Sequence, residues 1–129
     1  MSIYIHIPFC TSICTYCDFC KMYYSKKYIN DYLYTLKKEI LERYNNEKVK
    51  TIFIGGGTPT SLDNEELTKL LEITKLFITE DNIEFTIESN VESLTEDKLK
   101  IMKEYGVNRL SIGVQSFNNN ILKRDIVIS

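Results

Sequence analysis

Tryptophan is absent from this 129-residue sequence, and histidine occurs only once. No apolar run approaches the ~18 residues that a membrane span requires, so no transmembrane segment is expected. The formal net charge is only −2, which removes any electrostatic case for nucleic acid as a partner. Internal repeats, low-complexity segments and linkers are also missing, and the length therefore predicts one domain. Hydrophobic residues make up 43% and charged residues 26%, which is ordinary for a globular protein.

The start of the chain carries no sign of secretion. Met1-Ser2 leads directly into a strand-like run, without a basic segment or a cleavage site. We therefore expect a cytoplasmic protein. In such a compartment clustered cysteines more often bind metal or act in catalysis than form disulfides.

Three of the four cysteines stand close together in the spacing C-x3-C-x2-C. Thiolates at Cys10, Cys14 and Cys17 fit in one short loop and can ligate three corners of a [4Fe–4S] cluster, which four cysteines usually hold. Three ligands leave one iron open, as catalytic metal sites do. With Cys20 included, a structural zinc knuckle or a pair of disulfides are the alternatives. Zinc sites more often have two separated C-x2-C arms, so the spacing favours the cluster.

Extended and helical segments alternate along the chain. Period-two or short apolar runs predict strands, and apolar residues at helical spacing predict helices between them. Asp63, with Glu66 three residues later, predicts a capping box, and Thr95 and Gly106 predict the start and stop of the following helix. The predicted strands are residues 3–7, 51–54, 83–87 and 109–112, and the first helix is Tyr28–Tyr44. This order predicts an α/β fold with a parallel sheet. Four strands suit part of a (β/α) barrel, since a closed eightfold barrel needs ~250 residues.

Every candidate functional residue follows, or ends, a predicted strand. The cysteine loop follows the first strand, Gly55-Gly56-Gly57 follows the second, Glu88 ends the third and Gln115 follows the fourth. Parallel α/β folds bind ligands at this edge. Three consecutive glycines indicate that something approaches the main chain closely. A tight turn is the alternative explanation for the glycines, and a solvated acid at a strand end is the alternative for Glu88.

These motifs together resemble the radical S-adenosylmethionine (SAM) family. The resemblance covers about residues 3 to 122. Within the family, the chain resembles most the branch of oxygen-independent coproporphyrinogen III oxidases and HemW-type haem chaperones. The resemblance implies a partial radical SAM barrel, a [4Fe–4S] cluster on Cys10, Cys14 and Cys17, and reductive cleavage of SAM. Further SAM-site residues follow from the resemblance only, and for Tyr16 core packing is the alternative. They are Tyr4, Tyr16, Gly55, Gly56, Gly57, Thr58, Glu88 and Gln115.

The resemblance also implies partners and a role. Cys17-Asp18-Phe19 matches the chaperone side of the branch, which implies haem delivery or porphyrin biosynthesis, a small molecule or haem as ligand, and an electron donor protein. His6 is expected mainly as a packed strand residue. After Arg124 the family pattern stops, so we expect residues 1–129 to be a truncated radical SAM core domain with an exposed edge on its last parallel strand. A non-catalytic metal knuckle and an RNA-modifying radical SAM enzyme are the other functions to weigh.

Overall fold

The computed structural model describes residues 1–8, 26–115 and 121–127. The strands are β1 (Ser2–Ile7), β2 (Val49–Gly56), β3 (Thr79–Asn90), β4 (Arg109–Gln115) and β5 (Ile121–Val127). The helices are α1 (Lys26–Arg43), α2 (Asn64–Thr74) and α3 (Glu96–Glu104), and a short 3-10 turn spans Pro59–Ser61. No helix among these residues is long and apolar enough to cross a membrane.

The strands form one sheet in chain order, from β1 to β5. Strands β1 to β4 are parallel to one another, which confirms the predicted α/β fold. Their order never reverses, as in (β/α) barrels. Doubly wound sheets differ, because their strand order reverses at a switch point.

One face of the sheet packs against the helices and forms the core. Alternate residues of the parallel strands are buried there, because successive side chains of a strand point to opposite faces. The strand residues of this core are Ile5, Ile7, Val49, Ile52, Ile54, Phe85, Ile87, Leu110 and Ile112. From the helices Ile29, Leu33, Leu67, Leu70, Leu71 and Met102 join the same cluster.

The helix boundaries predicted from capping residues are confirmed for α2 and α3. Asp63 accepts a hydrogen bond from the Glu66 amide at 2.7 Å, and Glu66 Oε1 accepts one from the Asp63 amide at 3.0 Å. This is the predicted capping box of α2. Thr95 caps α3 through its side chain. Gly106 follows α3 with a φ of +94°, a conformation that glycine adopts without strain.

The last strand was not predicted. β5 runs antiparallel to β4, and the pairing extends from Gln115 with Ile121 to Arg109 with Val127. The expected exposed edge on β4 is therefore wrong. Pairing at a strand edge uses main-chain N–H and C=O groups, which need no particular side-chain period. Residues 121–127 consequently gave no strand pattern in the sequence.

Candidate functional site

The carboxyl ends of the four parallel strands lie at one edge of the sheet. β1 ends at Ile7, β2 at Gly56, β3 at Asn90 and β4 at Gln115. The register pairs Ile7 with Gly56, so the ends of these two strands are level. This is the edge where parallel α/β proteins bind ligands.

Most of the predicted site residues that the structure describes lie at this edge. Those within two residues of a strand end are Gly55, Gly56, Gly57, Thr58, Glu88 and, for its backbone, Gln115. Tyr4 lies within β1, three residues before its end. The side chain of Gln115 and the whole of Cys10, Cys14, Tyr16 and Cys17 lie outside the described residues.

Gly56 is explained by the end of β1, and Gly57 contacts the same strand end. A Cβ atom on Gly56 would lie 2.6 Å from the carbonyl oxygen of Ile7 and 2.8 Å from the His6 ring, and the φ of Gly56 is +117°. The amide of Gly57 donates a hydrogen bond to the same Ile7 carbonyl at 2.7 Å. The predicted close approach to the main chain is present, and the group that approaches is the neighbouring strand. The Gly57 amide is thereby occupied within the protein.

Gly55 makes room for the carboxylate of Glu88. A Cβ atom at position 55 would collide with Glu88 Oε1 and would lie 2.8 Å from a ring carbon of Phe53. Glu88 is partly buried. It forms no hydrogen bond or ion pair with any other residue that the structure describes. The carboxylate therefore lies over bare backbone at the binding edge and retains its capacity to accept hydrogen bonds.

Aromatic side chains lie near this carboxylate on the sheet face opposite the helices. The ring of Tyr4 stacks on Phe53 with centroids 5.9 Å apart, and its hydroxyl is 3.2 Å from Nδ1 of His6. Tyr4 is 57% exposed, and His6 is exposed as well. The expectation that His6 is packed is therefore wrong, because it points away from the core. Tyr4, Phe53, Gly55 and Glu88 form a continuous surface, which we call the inner-face group.

Helix α1 is fixed to the end of β1 by a tyrosine that sequence analysis did not single out. The Tyr32 hydroxyl donates a hydrogen bond to the backbone carbonyl of His6. Burial raises the pKa of Tyr32 above its usual value of 10.0, and the nearby Glu39 and Tyr4 add to the effect. The hydroxyl is thus held protonated as a donor, which orients the strand end that leads into the cysteine segment.

Two loops at the binding edge are joined by hydroxyl groups. Thr60, in the turn after β2, places its Oγ1 2.9 Å from Ser89 Oγ and 2.6 Å from Ser93 Oγ. Ser93 in turn donates a hydrogen bond to Asn90 Oδ1 at 2.5 Å. Sequence analysis missed this network, since its members are scattered along the chain.

The described residues contain no group of three or more His, Cys, Asp or Glu side chains suited to hold a metal ion. The predicted cluster ligands Cys10, Cys14 and Cys17 lie outside the described residues, so this geometry does not test them.

Comparison with known proteins decides the family. The family model described as the radical SAM superfamily matches residues 4–126. The chain belongs to the radical SAM superfamily. Members of this family are associated with a [4Fe–4S] cluster and SAM, and membership implies both for this chain.

Several curated relatives are similar over nearly the whole chain. Heme chaperone HemW of Bacillus subtilis (strain 168) is 46% identical over 128 residues, which cover 95% of this chain and 34% of the relative. Heme chaperone HemW of Escherichia coli (strain K12) is 39% identical over 131 residues, with 96% and 34% coverage. The oxygen-independent coproporphyrinogen-III oxidase-like protein HemZ of B. subtilis is 37% identical over 133 residues, with 95% and 26% coverage. The chain thus spans about a third of the length of these relatives or less.

A solved structure has the same fold. The coproporphyrinogen III oxidase HemN of E. coli, described as a radical SAM enzyme, superposes with a TM-score of 0.79 at 34% identity, covering 91% of this chain and 28% of that one. The four parallel strands and their helices therefore match part of the radical SAM barrel of HemN, as expected. The chain resembles both the HemW and the HemN sides of the branch.

Proposed function

We propose that this chain binds a [4Fe–4S] cluster through Cys10, Cys14 and Cys17 and binds SAM at the carboxyl edge of β1 to β4. Residues 1–129 would then form part of a radical SAM core domain. The observation that carries the proposal is the inner-face group, in which Glu88 lies over the bare backbone of Gly55. Family membership supports the identity of both cofactors.

The residues present fit the methionine part of SAM. Its ammonium group needs an anionic or carbonyl acceptor, and the Glu88 carboxylate has no partner among the described residues. The absence of a side chain at Gly55 leaves the backbone open beside that carboxylate. Tyr4 offers an exposed aromatic ring stacked on Phe53, which lies beside Gly55. Gly56 and Gly57 contribute indirectly, because they hold the end of β1 against β2.

The chain's own residues then bind and orient the cofactors. When bound, a reduced cluster supplies one electron for the reductive cleavage of SAM, and the protein contributes mainly positioning and electrostatics. Glu88 would hold the amino group, Thr58 and Gln115 would contact SAM at the same edge, and Tyr16 would lie beside the adenine. These roles rest on the family resemblance.

We further propose a role in haem metabolism, either haem delivery or a porphyrin-related reaction in the cytoplasm. Relatives at 46% and 39% identity are named heme chaperones, and the HemN structure is of a coproporphyrinogen III oxidase. The Cys17-Asp18-Phe19 sequence favours the chaperone side. The ligand would be haem or a small molecule, and an electron donor protein would reduce the cluster.

Electron paramagnetic resonance (EPR) spectroscopy tests the proposal. The full chain is reconstituted anaerobically with iron and sulfide, reduced, and measured with and without SAM. We expect a [4Fe–4S] signal that SAM perturbs, since SAM binds the open iron. Cys14→Ser should lose the signal, whereas Cys20→Ser should keep it because Cys20 is not among the predicted ligands.

Three other outcomes would contradict parts of the proposal. Folded protein that holds zinc and gives no cluster signal would replace the radical function with a structural metal knuckle. A cluster that ignores SAM would refute the proposed SAM site at the inner-face group. Haem binding is measured separately by absorbance titration, and a chain that binds no haem would contradict the haem-delivery role.

A further inference from the structure

A lysine of α3 joins the two loops at the binding edge. We define the β2 loop as residues 57–63 and the β3 loop as residues 91–95. Lys98 Nζ donates hydrogen bonds to the backbone carbonyl of Thr60 at 2.6 Å and to that of Ser93 at 3.2 Å. One side chain therefore bridges the main chains of both loops.

The same two residues are joined a second time through their side chains. Thr60 and Ser93 share the 2.6 Å hydroxyl contact, and Thr60 also contacts Ser89 of β3. Thr60 is fully buried and Ser89 is 5% exposed, so water does not compete freely for these hydroxyls. The β2 loop begins at Gly57, the last glycine of the triplet, and Ser89 directly follows Glu88. The network thus fixes the distance between the two segments proposed to hold SAM.

Helix α3 does not depend on the Lys98 side chain for its own start. Thr95 Oγ1 already accepts a hydrogen bond from the Lys98 amide at 3.2 Å and caps the helix. Burial lowers the pKa of the Lys98 ammonium, and the carboxylates of Asp63 and Glu66 act in the opposite direction. A partly buried ammonium with carbonyl acceptors adds little net stability compared with an apolar side chain of similar size. It does impose a definite geometry on its acceptors.

From this arrangement we infer that Lys98 is a positioning residue for the SAM site: it holds the β2 loop against the β3 loop and so keeps Gly55–Thr58 and Glu88 at the separation that SAM binding requires. The inference rests on the proposed function and adds a residue of α3 that contacts both loops without belonging to either. The ammonium of Lys98 donates to carbonyls of the two loops and not to the inner-face group, so Lys98 acts through the loops.

A substitution pair on α3 tests the inference. Lys98→Met keeps most of the aliphatic stem and removes the ammonium. Lys100→Met is the matched control, because Lys100 is exposed on the same helix. Each reduced, cluster-loaded variant is titrated with SAM, and the EPR change gives the SAM concentration for half saturation. We expect at least a tenfold increase for Lys98→Met, with an unchanged cluster signal before SAM is added, and no change for Lys100→Met.

Lys98→Arg distinguishes positioning from general packing. A guanidinium group can donate to both carbonyls, so Lys98→Arg should restore half saturation to within about threefold of the wild type. Two results would overturn the inference: wild-type SAM affinity in folded Lys98→Met, or loss of the fold in Lys98→Met by circular dichroism, which would make Lys98 a structural residue. A wild-type cluster that does not respond to SAM would refute the proposed function itself, before Lys98 is tested.

Discussion

Replacing Gly56 with alanine adds a methyl group where two strands approach each other closely. The new Cβ would lie 2.6 Å from the Ile7 carbonyl oxygen, a backbone atom that cannot swing aside, and the φ of Gly56 is +117°. A positive φ costs a non-glycine residue about 1–3 kcal/mol. Forcing a methyl group into a filled space costs typically about 1–3 kcal/mol more. We therefore expect Gly56→Ala to lower the free energy of unfolding by about 2–5 kcal/mol, allowing for a small gain from the stiffer unfolded chain.

Gly106 provides the matched control, since its φ is +94° and nothing lies within 4 Å of an added Cβ. Gly106→Ala keeps the backbone penalty and omits the collision. Urea unfolding followed by circular dichroism gives both free energies. The difference between the two variants, about 1–3 kcal/mol, measures crowding by β1. Equal losses in the two variants would refute the reasoning, because they would show that the end of β1 does not press on Gly56.

Two further predictions concern the binding edge. Gly55→Ala should reduce stability less than Gly56→Ala does, because its new Cβ meets side-chain atoms of Phe53 and Glu88 that can move. The displaced Glu88 carboxylate should weaken the effect of SAM on the EPR spectrum. An unchanged SAM titration would contradict this prediction. Burial raises the pKa of Tyr32 above 10.0, so its stabilising contribution is fully present below that pH and is lost as the pH rises through the folded value. Urea unfolding from about pH 9 to about pH 11 should therefore show a steeper alkaline loss of stability in the wild type than in Tyr32→Phe. Tyr34→Phe, at a residue that is 72% exposed, should behave like the wild type, and parallel pH curves for all three proteins would refute the stabilising role of the Tyr32 hydroxyl.

Local signals in the sequence were sufficient for much of this fold. The capping box of α2 and the stop at Gly106 depend on residues a few positions apart, and both are confirmed. The placement of Glu88 beside the glycine triplet also follows from a simple rule, since parallel strands bring their carboxyl ends to one edge. β3 proved longer than its apolar stretch, because it begins in the polar run from Thr79. Thr79 pairs with Val49 before a register shift, and this main-chain pairing extends the strand without requiring apolar side chains.

The remaining site features depend on contacts between distant residues. Thr60 meets Ser93 and Lys98 across 33 and 38 positions, and no spacing rule connects hydroxyl and ammonium groups over such intervals. The lack of room for a side chain at Gly55 depends likewise on the rotamer of Glu88. Glycine in the sequence indicated a close approach to the backbone, but only the structure shows that Ile7, Phe53 and Glu88 are the neighbours.

The mixed sheet has a consequence for the order in which the chain folds. Gln115 of β4 pairs with Ile121 of β5, which lies close to it in the sequence, whereas Ile7 of β1 pairs with Gly56 of β2, 49 positions away. Closing a long loop loses more chain entropy than closing a short one, and hairpins form in about 1–10 μs. The antiparallel pair at one side of the sheet can therefore form early and offer β4 as a template for β3. The pairing of β1 with β2, which completes the glycine-lined edge, would be a late event in folding.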